Sequence, residues 1–245
     1  MTESPIRKFS PAELTRFVEE RLAGVSEEQV IAILENRNCN AAMLQVIGLN
    51  PRLTSFYSVR LRLVGHRATP QAHSLKFVHY LFWQDLLRLS IDVRIPATVR
   101  RAIDKLMLLK IDKLSLGEKI SAAKRCGHAL ISVLLFDRDP KVFAALLNNA
   151  RIREDDLIVI ANSTRATADQ LIQLAANRKW SFRYSIRRAL VMNPKTPRAV
   201  AASQLRYLSR RDLTDIYSRG ETSVYLRRCI ERISEPAEET RASGR

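Results

Sequence analysis

Apolar residues recur every three or four positions in short runs along this chain, and polar turn residues interrupt them at close intervals. Over Ala97 to Leu109, Val99, Ile103, Leu106 and Met107 share one stripe of a helix. Over 178–219, Phe182, Ile186, Ala189 and Leu190 repeat that spacing, which predicts that they face a core. No stretch alternates apolar with polar residues as a strand would. The spacing therefore predicts an all-α fold of short helices.

The interruptions are helix stops and starts. Ser10-Pro11-Ala-Glu13 and Ser115-Leu-Gly-Glu118 have the form of capping boxes, Ser26-Glu27-Glu28 opens a second helix, and Asp139-Pro140 opens another. Asn193-Pro194-Lys195-Thr196-Pro197 ends one helix and begins the next. Asn193 tolerates the conformation that closes a helix, and Pro194 cannot extend it. Thr196 is expected to accept a free amide of the following helix, with Pro197 at the first helical position. Asn50-Pro51, His66-Arg-Ala-Thr69-Pro70 and Asn162 to Thr167 repeat the device. Asn36 and Asn50 stand 14 apart, as do Asn148 and Asn162, and this echo predicts a helix pair used more than once. Between these regions Pro70 to Ser90, with Phe77, Tyr80, Phe82 and Trp83, reads as a widely buried central helix.

Val159-Ile-Ala161-Asn162, Leu171-x-x-Leu174-Ala175, Ile186-Arg187 and Val191-Met-Asn193-Pro194-x-Thr196-Pro197 together resemble the leucine-rich repeat variant. That family belongs with the broader HEAT-like group. The separation of 31 between Asn162 and Asn193, and the lack of Pro after Asn162, favour the looser HEAT-like unit. The resemblance covers Leu146 to Ala201. It implies short helix pairs stacked as an α-solenoid, here with an aromatic-rich central bundle. The expected organisation is one helical domain over 1–233, with a soft internal boundary near 111–127 and a disordered tail over 234–245.

Charge adds a partner to this picture. Lys and Arg number 41 against 25 acidic residues, for a net charge of +16. Residues 1–53 carry six basic and seven acidic side chains, whereas 178–219 carry eleven basic and two acidic. In a solenoid, equivalent positions of successive helices align on one surface. Lys179, Arg183, Arg187, Arg188, Arg206, Arg210 and Arg211 are thus the candidate anion-binding residues, with Arg183, Arg187 and Arg188 on an exposed helix face. Such a stripe suits phosphates, bound without regard to sequence and weakened by salt. A solvated, Arg-rich surface is the plainer alternative. Trp180, Phe182, Tyr184 and Tyr207 interleave with these cations and would serve either stacking or the core.

The remaining chemistry is sparse. Cys39, Cys126 and Cys229 form no CxxC pair, so buried thiols in a reducing, cytoplasmic setting are expected rather than a zinc site or a disulfide framework. MTESPIRKFS lacks the apolar run of a signal peptide, and Ala129 to Phe136 is too short to span a bilayer. The residues His66, His73, His79 and His128 show no metal-ligand spacing, Cys126-Gly-His128 lacks a third orienting group, and Glu154-Asp155-Asp156 suits a helix start. Single, scattered glycines exclude phosphate-cradling loops. No catalytic, metal or cofactor site is assigned. The leading reading is a non-enzymatic scaffold for an acidic macromolecule, either nucleic acid or an acidic protein, with an anionic membrane surface less favoured. The alternative, by likeness to compact HEAT-like enzymes, is a DNA glycosylase acting on alkylated bases. It would need Asp85, near Trp83, exposed in a basic cleft.

Overall fold

The computed structural model describes residues 5–220 and 222–234. Among them every regular element is an α-helix or a 3-10 turn, and no strand occurs. No helix there is long and apolar enough to cross a membrane. The chain forms two compact units, Met1–Leu114 and Ser115–Arg245. Of the expected tail, Ser234 is the last residue of a helix, and residues 235–245 fall outside the described residues.

The first unit contains α1 (Pro11–Arg21), α2 (Glu27–Glu35), α3 (Ala41–Leu49), α4 (Tyr57–Gly65), α5 (Gln71–Phe77), α6 (Trp83–Ser90) and α7 (Ala97–Lys110). The second contains α8 (Leu116–Arg125), α9 (His128–Leu134), α10 (Pro140–Leu147), α11 (Glu154–Asn162) and α12 (Ala168–Ala176). It continues through α13 (Tyr184–Met192), α14 (Arg198–Leu205), α15 (Arg210–Ser218) and α16 (Val224–Ser234). Ser10 with Glu13, Ser26 with Gln29, Ser115 with Glu118 and Thr167 with Gln170 close reciprocal capping boxes. Each box satisfies two amides that a helix start leaves free.

Many helices end in the same turn. Its first residue accepts, through the side chain, the main-chain N–H two residues on. Asn36, Asn50, Asp92, Asn149, Asn177 and Asn193 do so with carboxamide or carboxylate oxygens, Ser163 with its hydroxyl and His66 with Nδ1. The sequence pattern had pointed to Asn148 and Asn162. Asn148 is instead exposed, Asn162 is the last residue of α11, and the turns belong to their neighbours Asn149 and Ser163.

The three buried asparagines, Asn36, Asn149 and Asn193, tie their turns to earlier ones. Nδ2 of Asn36 donates to the carbonyls of Ile6 and Phe9 at 2.8 and 3.1 Å. Asn149 reaches Ala123 and Cys126 at 2.8 and 3.2 Å, and Asn193 reaches Ala161 and Ser163 at 2.6 and 3.1 Å. Where Asn50 lacks this reach, Arg52 supplies it, donating to Leu22 and Val25 at 3.2 and 3.0 Å. Buried carbonyls at helix ends thereby find donors, which an uncovered terminus would lack.

The fourth residue of the turn is buried, as Cys39, Leu53, Ile95, Ile152, Ala166 and Trp180 are, and with them Thr69 and Thr196. Thr196 is 6% exposed and its hydroxyl has no partner, so it does not cap α14, whose N-cap position is Pro197. Thr196→Val is therefore expected to raise stability by about 1 kcal/mol, because it removes a buried unsatisfied group at constant shape. Urea unfolding checks this; a loss of stability on Thr196→Val would restore the capping role.

His66 occupies the Asn position of this turn with an imidazole whose Nδ1 accepts the Ala68 N–H. Burial, and then the neighbouring Arg67 cation, lower its pKa from the ordinary 6.5. A depressed histidine pKa favours the neutral fold, so its contribution is complete above 6.5 and is lost as pH falls towards the folded value. His66→Asn should keep the turn and remove this loss. Thermal melts of both proteins at pH about 7.5 and about 5.5 test it: the parent alone should lose the difference.

A longer repeat underlies the short one. Contacts of the first unit recur in the second 127 positions on: Asn50 and Asn177, Tyr57 and Tyr184, Arg60 and Arg187, Tyr80 and Tyr207, Asp85 and Asp212. Residues 25–103 and 152–230 align at this offset without a gap, and about a quarter of the positions are identical. Helices α1 to α7 thus have counterparts in α10 to α16, and α8 and α9 precede the second copy. This offset also corrects the reading of Pro70 to Ser90 as one buried helix. The segment breaks after the 3-10 turn Val78–Tyr80, where the second copy turns from α14 to α15, leaving Tyr80 and Phe82 57% and 66% exposed.

Candidate anion-binding edge

In the second unit, hydrogen bonds join four successive turns along one edge. Asn149 links the α10–α11 turn to the α8–α9 turn, and Arg151 adds a bond to the Arg125 carbonyl at 3.4 Å. The Trp180 indole N–H donates to the Leu147 carbonyl at 3.4 Å, joining the α12–α13 turn to the α10–α11 turn. Tyr184, at the start of α13, accepts the Ser209 N–H at 3.0 Å and donates to Asp212, which joins the α14–α15 turn.

All seven candidate cations stand at the last two of these turns, and they divide into two sets. Arg187 is half-buried; its Nε donates to the Ser181 carbonyl at 2.7 Å and its guanidinium lies 3.7 Å from the Tyr207 ring centre. Arg188 donates to Asp212 at 2.8 Å. Hydrogen bonds from Tyr184 first, and then from Arg188, hold the Asp212 carboxyl below the usual carboxylate range. Tyr184 and Arg188 thereby clamp α13 to α15, and Arg187 ties α13 to the turns at Ser181 and Tyr207.

The other cations face solvent. Lys179 sits over the Trp180 ring at 4.5 Å and Arg206 beside Tyr207 at 4.9 Å, while Arg210 and Arg211 open α15. Arg183 is the N-cap of α13, over Phe182 and 3.7 Å from Glu154. Arg183, Arg187 and Arg188 thus do not form one free helix face. The buried side of α13 carries Ile186 and Leu190 as expected, but Phe182 is 56% exposed. Helical counting fails there because α13 begins only at Tyr184. Trp180 is buried, whereas Tyr184 and Tyr207 are exposed.

The edge is more basic than the 178–219 window alone, since Arg125 and Arg151, joined by the bond from Arg151 to the Arg125 carbonyl, stand at the other two turns. Periodicity could not find them; the turn motif itself was the available signal, because a basic residue follows the turn asparagine at Arg151, Lys179 and Lys195 alike.

The other candidates have structural roles. Asp156 accepts the Arg153 N–H at the start of α11 and faces His128 at 3.5 Å, so His128 does not address Cys126. Cys126 packs against Asn149; Cys39 is buried, where burial pushes its thiol up to about 11, and Cys229 is only half-buried. His73 packs on Gly48 and stacks on Phe77. Asp85 accepts from Tyr57 of α4, as Asp212 does from Tyr184 of α13, which gives it the same helix-tying role; Arg88, which also donates to it, lies on its own helix. Among the described residues no group of three His, Cys, Asp or Glu side chains converges as a metal site would.

Fold and edge together define an all-helical protein of duplicated helical units, one of them with a basic margin. Comparison with known protein families, curated proteins and solved structures finds no match.

Proposed function

We propose that this protein is a non-enzymatic, HEAT-like helical scaffold whose second unit binds the phosphate backbone of nucleic acid. The observation that carries the reading is the succession of four bonded turns, each presenting cations. Phosphates are recognised by such rows through charge and main-chain amides, without base readout. Several cations are already oriented on aromatic rings, which lowers the entropy lost when they engage an anion. An acidic protein would need carboxylates at matched positions, whereas a polyphosphate supplies charge at regular spacing whatever its sequence.

Fluorescence anisotropy with a labelled duplex of about 20 base pairs, in salt from about 50 to about 200 mM, tests this. Binding of unrelated sequences alike, weakening linearly in log affinity against log salt, is expected. Absence of salt-sensitive binding to both DNA and RNA at about 50 mM salt would overturn it.

A further inference from the structure

The two copies of the edge have diverged in one direction. Tyr57, Arg60, Tyr80 and Asp85 stand where the second unit has Tyr184, Arg187, Tyr207 and Asp212, with the same bonds. Around this shared frame, Arg183, Arg188, Arg210 and Arg211 are matched by Phe56, Leu61, Trp83 and Gln84. Ser209, which caps α15, is matched by Phe82, which cannot cap α6. The cationic margin of one unit is an aromatic margin in the other.

Phe82 gives up a cap and leaves its ring mostly in solvent. The ring leans on Tyr57, with centroids 4.6 Å apart, and the exposed Tyr80 ring lies 4.9 Å from the Arg60 guanidinium. Nε of Arg60 is fixed by the Thr54 carbonyl, so the guanidinium is oriented. Residues 50–90 contain six basic side chains and one acid, Asp85, which is engaged by Tyr57 and Arg88; Glu27 and Glu35 of α2 also reach this segment, on Ser58 and Arg62, and a surplus of cations remains. Flat exposed rings beside an ordered guanidinium, in a positive field, match a flat and anionic ligand. An apolar protein helix would require a longer greasy groove. A nucleotide of an unpaired strand fits, its base on a ring and its phosphate on the cation.

We infer that the first unit is a base-stacking platform for single-stranded nucleic acid, with Tyr80 and Phe82 as the stacking residues and Arg60 as the phosphate partner. This rests on the nucleic-acid reading of the second unit and narrows it: unpaired strands are preferred over duplex, because paired bases hide their faces.

The test compares fluorescein-labelled oligo(dT) of about 20 nucleotides with a duplex of equal length, using the whole chain. The wild type should favour the single strand. The double variant Tyr80→Ala/Phe82→Ala should lose about ten-fold or more of single-strand affinity, keep its salt slope and bind duplex unchanged, and Phe82→Tyr should retain the preference. Unchanged duplex binding also reports that the variant is folded. Unaltered single-strand binding by the double variant, with wild-type binding still salt-sensitive, overturns the platform and leaves the basic edge standing. Equal losses on both probes overturn it too. Wild-type protein that binds neither probe overturns both readings. Capture of phosphatidylserine-containing vesicles by the wild type but not by the double variant would replace the base with a membrane surface.

Discussion

Asn149→Ala is expected to cost about 3 kcal/mol of unfolding free energy. The side chain is wholly buried. Its Nδ2 donates to the Ala123 and Cys126 carbonyls, and its Oδ1 accepts the Arg151 N–H at 2.8 Å. Alanine withdraws all three bonds where water has poor access. Each bond withdrawn from a buried partner costs about 1–3 kcal/mol, and partial relaxation keeps the sum near the lower limit. Asn149→Asp should be at least as harmful, because it replaces the donor with a charge facing carbonyls. The neighbouring Asn148→Ala should cost about 1 kcal/mol or less, since Asn148 is exposed and bonds only the local Ala144 carbonyl. Urea denaturation with an unchanged slope and a shifted midpoint is the measurement. Similar losses for the two adjacent asparagines would contradict this account of the turn.

The largest functional effect is expected from Arg206→Ala/Arg210→Ala/Arg211→Ala. These three are exposed and form none of the clamps between α13 and α15, so melting should move little. Each phosphate contact contributes about 0.9 to the duplex salt slope, so losing three should flatten it by about 2 to 3. Affinity at low salt should fall by about ten-fold or more in step. Removing three exposed cations from the first unit, with Arg101→Ala/Lys105→Ala/Lys113→Ala, gives the control for net charge. Equal effects of the two triples would mean that the whole molecule's charge, and no particular edge, attracts the ligand. Arg187→Ala and Arg188→Ala, by contrast, should lower stability, since both side chains hold neighbouring elements together.

Short-range chemistry was the legible part of the fold. Capping boxes at Ser10 and Ser115 are complete within four residues, so the sequence shows both partners at once. Failures arose where a partner lies far away or a boundary shifts by one. Adjacent asparagines at 148 and 149 look alike until the carbonyls of Ala123 and Cys126 select one. Thr196 has the composition of a cap, and only its burial with an unpartnered hydroxyl shows that it is not one. Phe182 was assigned to the core by carrying a helical period across two residues that are not helical. The duplication was written in Asn50 and Asn177, Tyr57 and Tyr184, and Thr69-Pro70 and Thr196-Pro197. Its length hid it behind the shorter echo of the turns. For the site, the basic window identified two of the four turns; the others come from residues that only tertiary hydrogen bonds bring alongside.

The asparagine ties have a kinetic consequence. Each reaches back only 23 to 32 residues to its carbonyl. Closing a loop of that length costs little more entropy than closing one half as long. Contacts built this way keep the sequence separation of partners low, and chains of low contact order fold quickly. As the polypeptide leaves the ribosome, each new turn therefore finds its acceptor carbonyls already synthesised, about one helix pair behind. Either unit can consolidate progressively from its amino-terminal side, and no bond of this type has to wait for the far end of the chain.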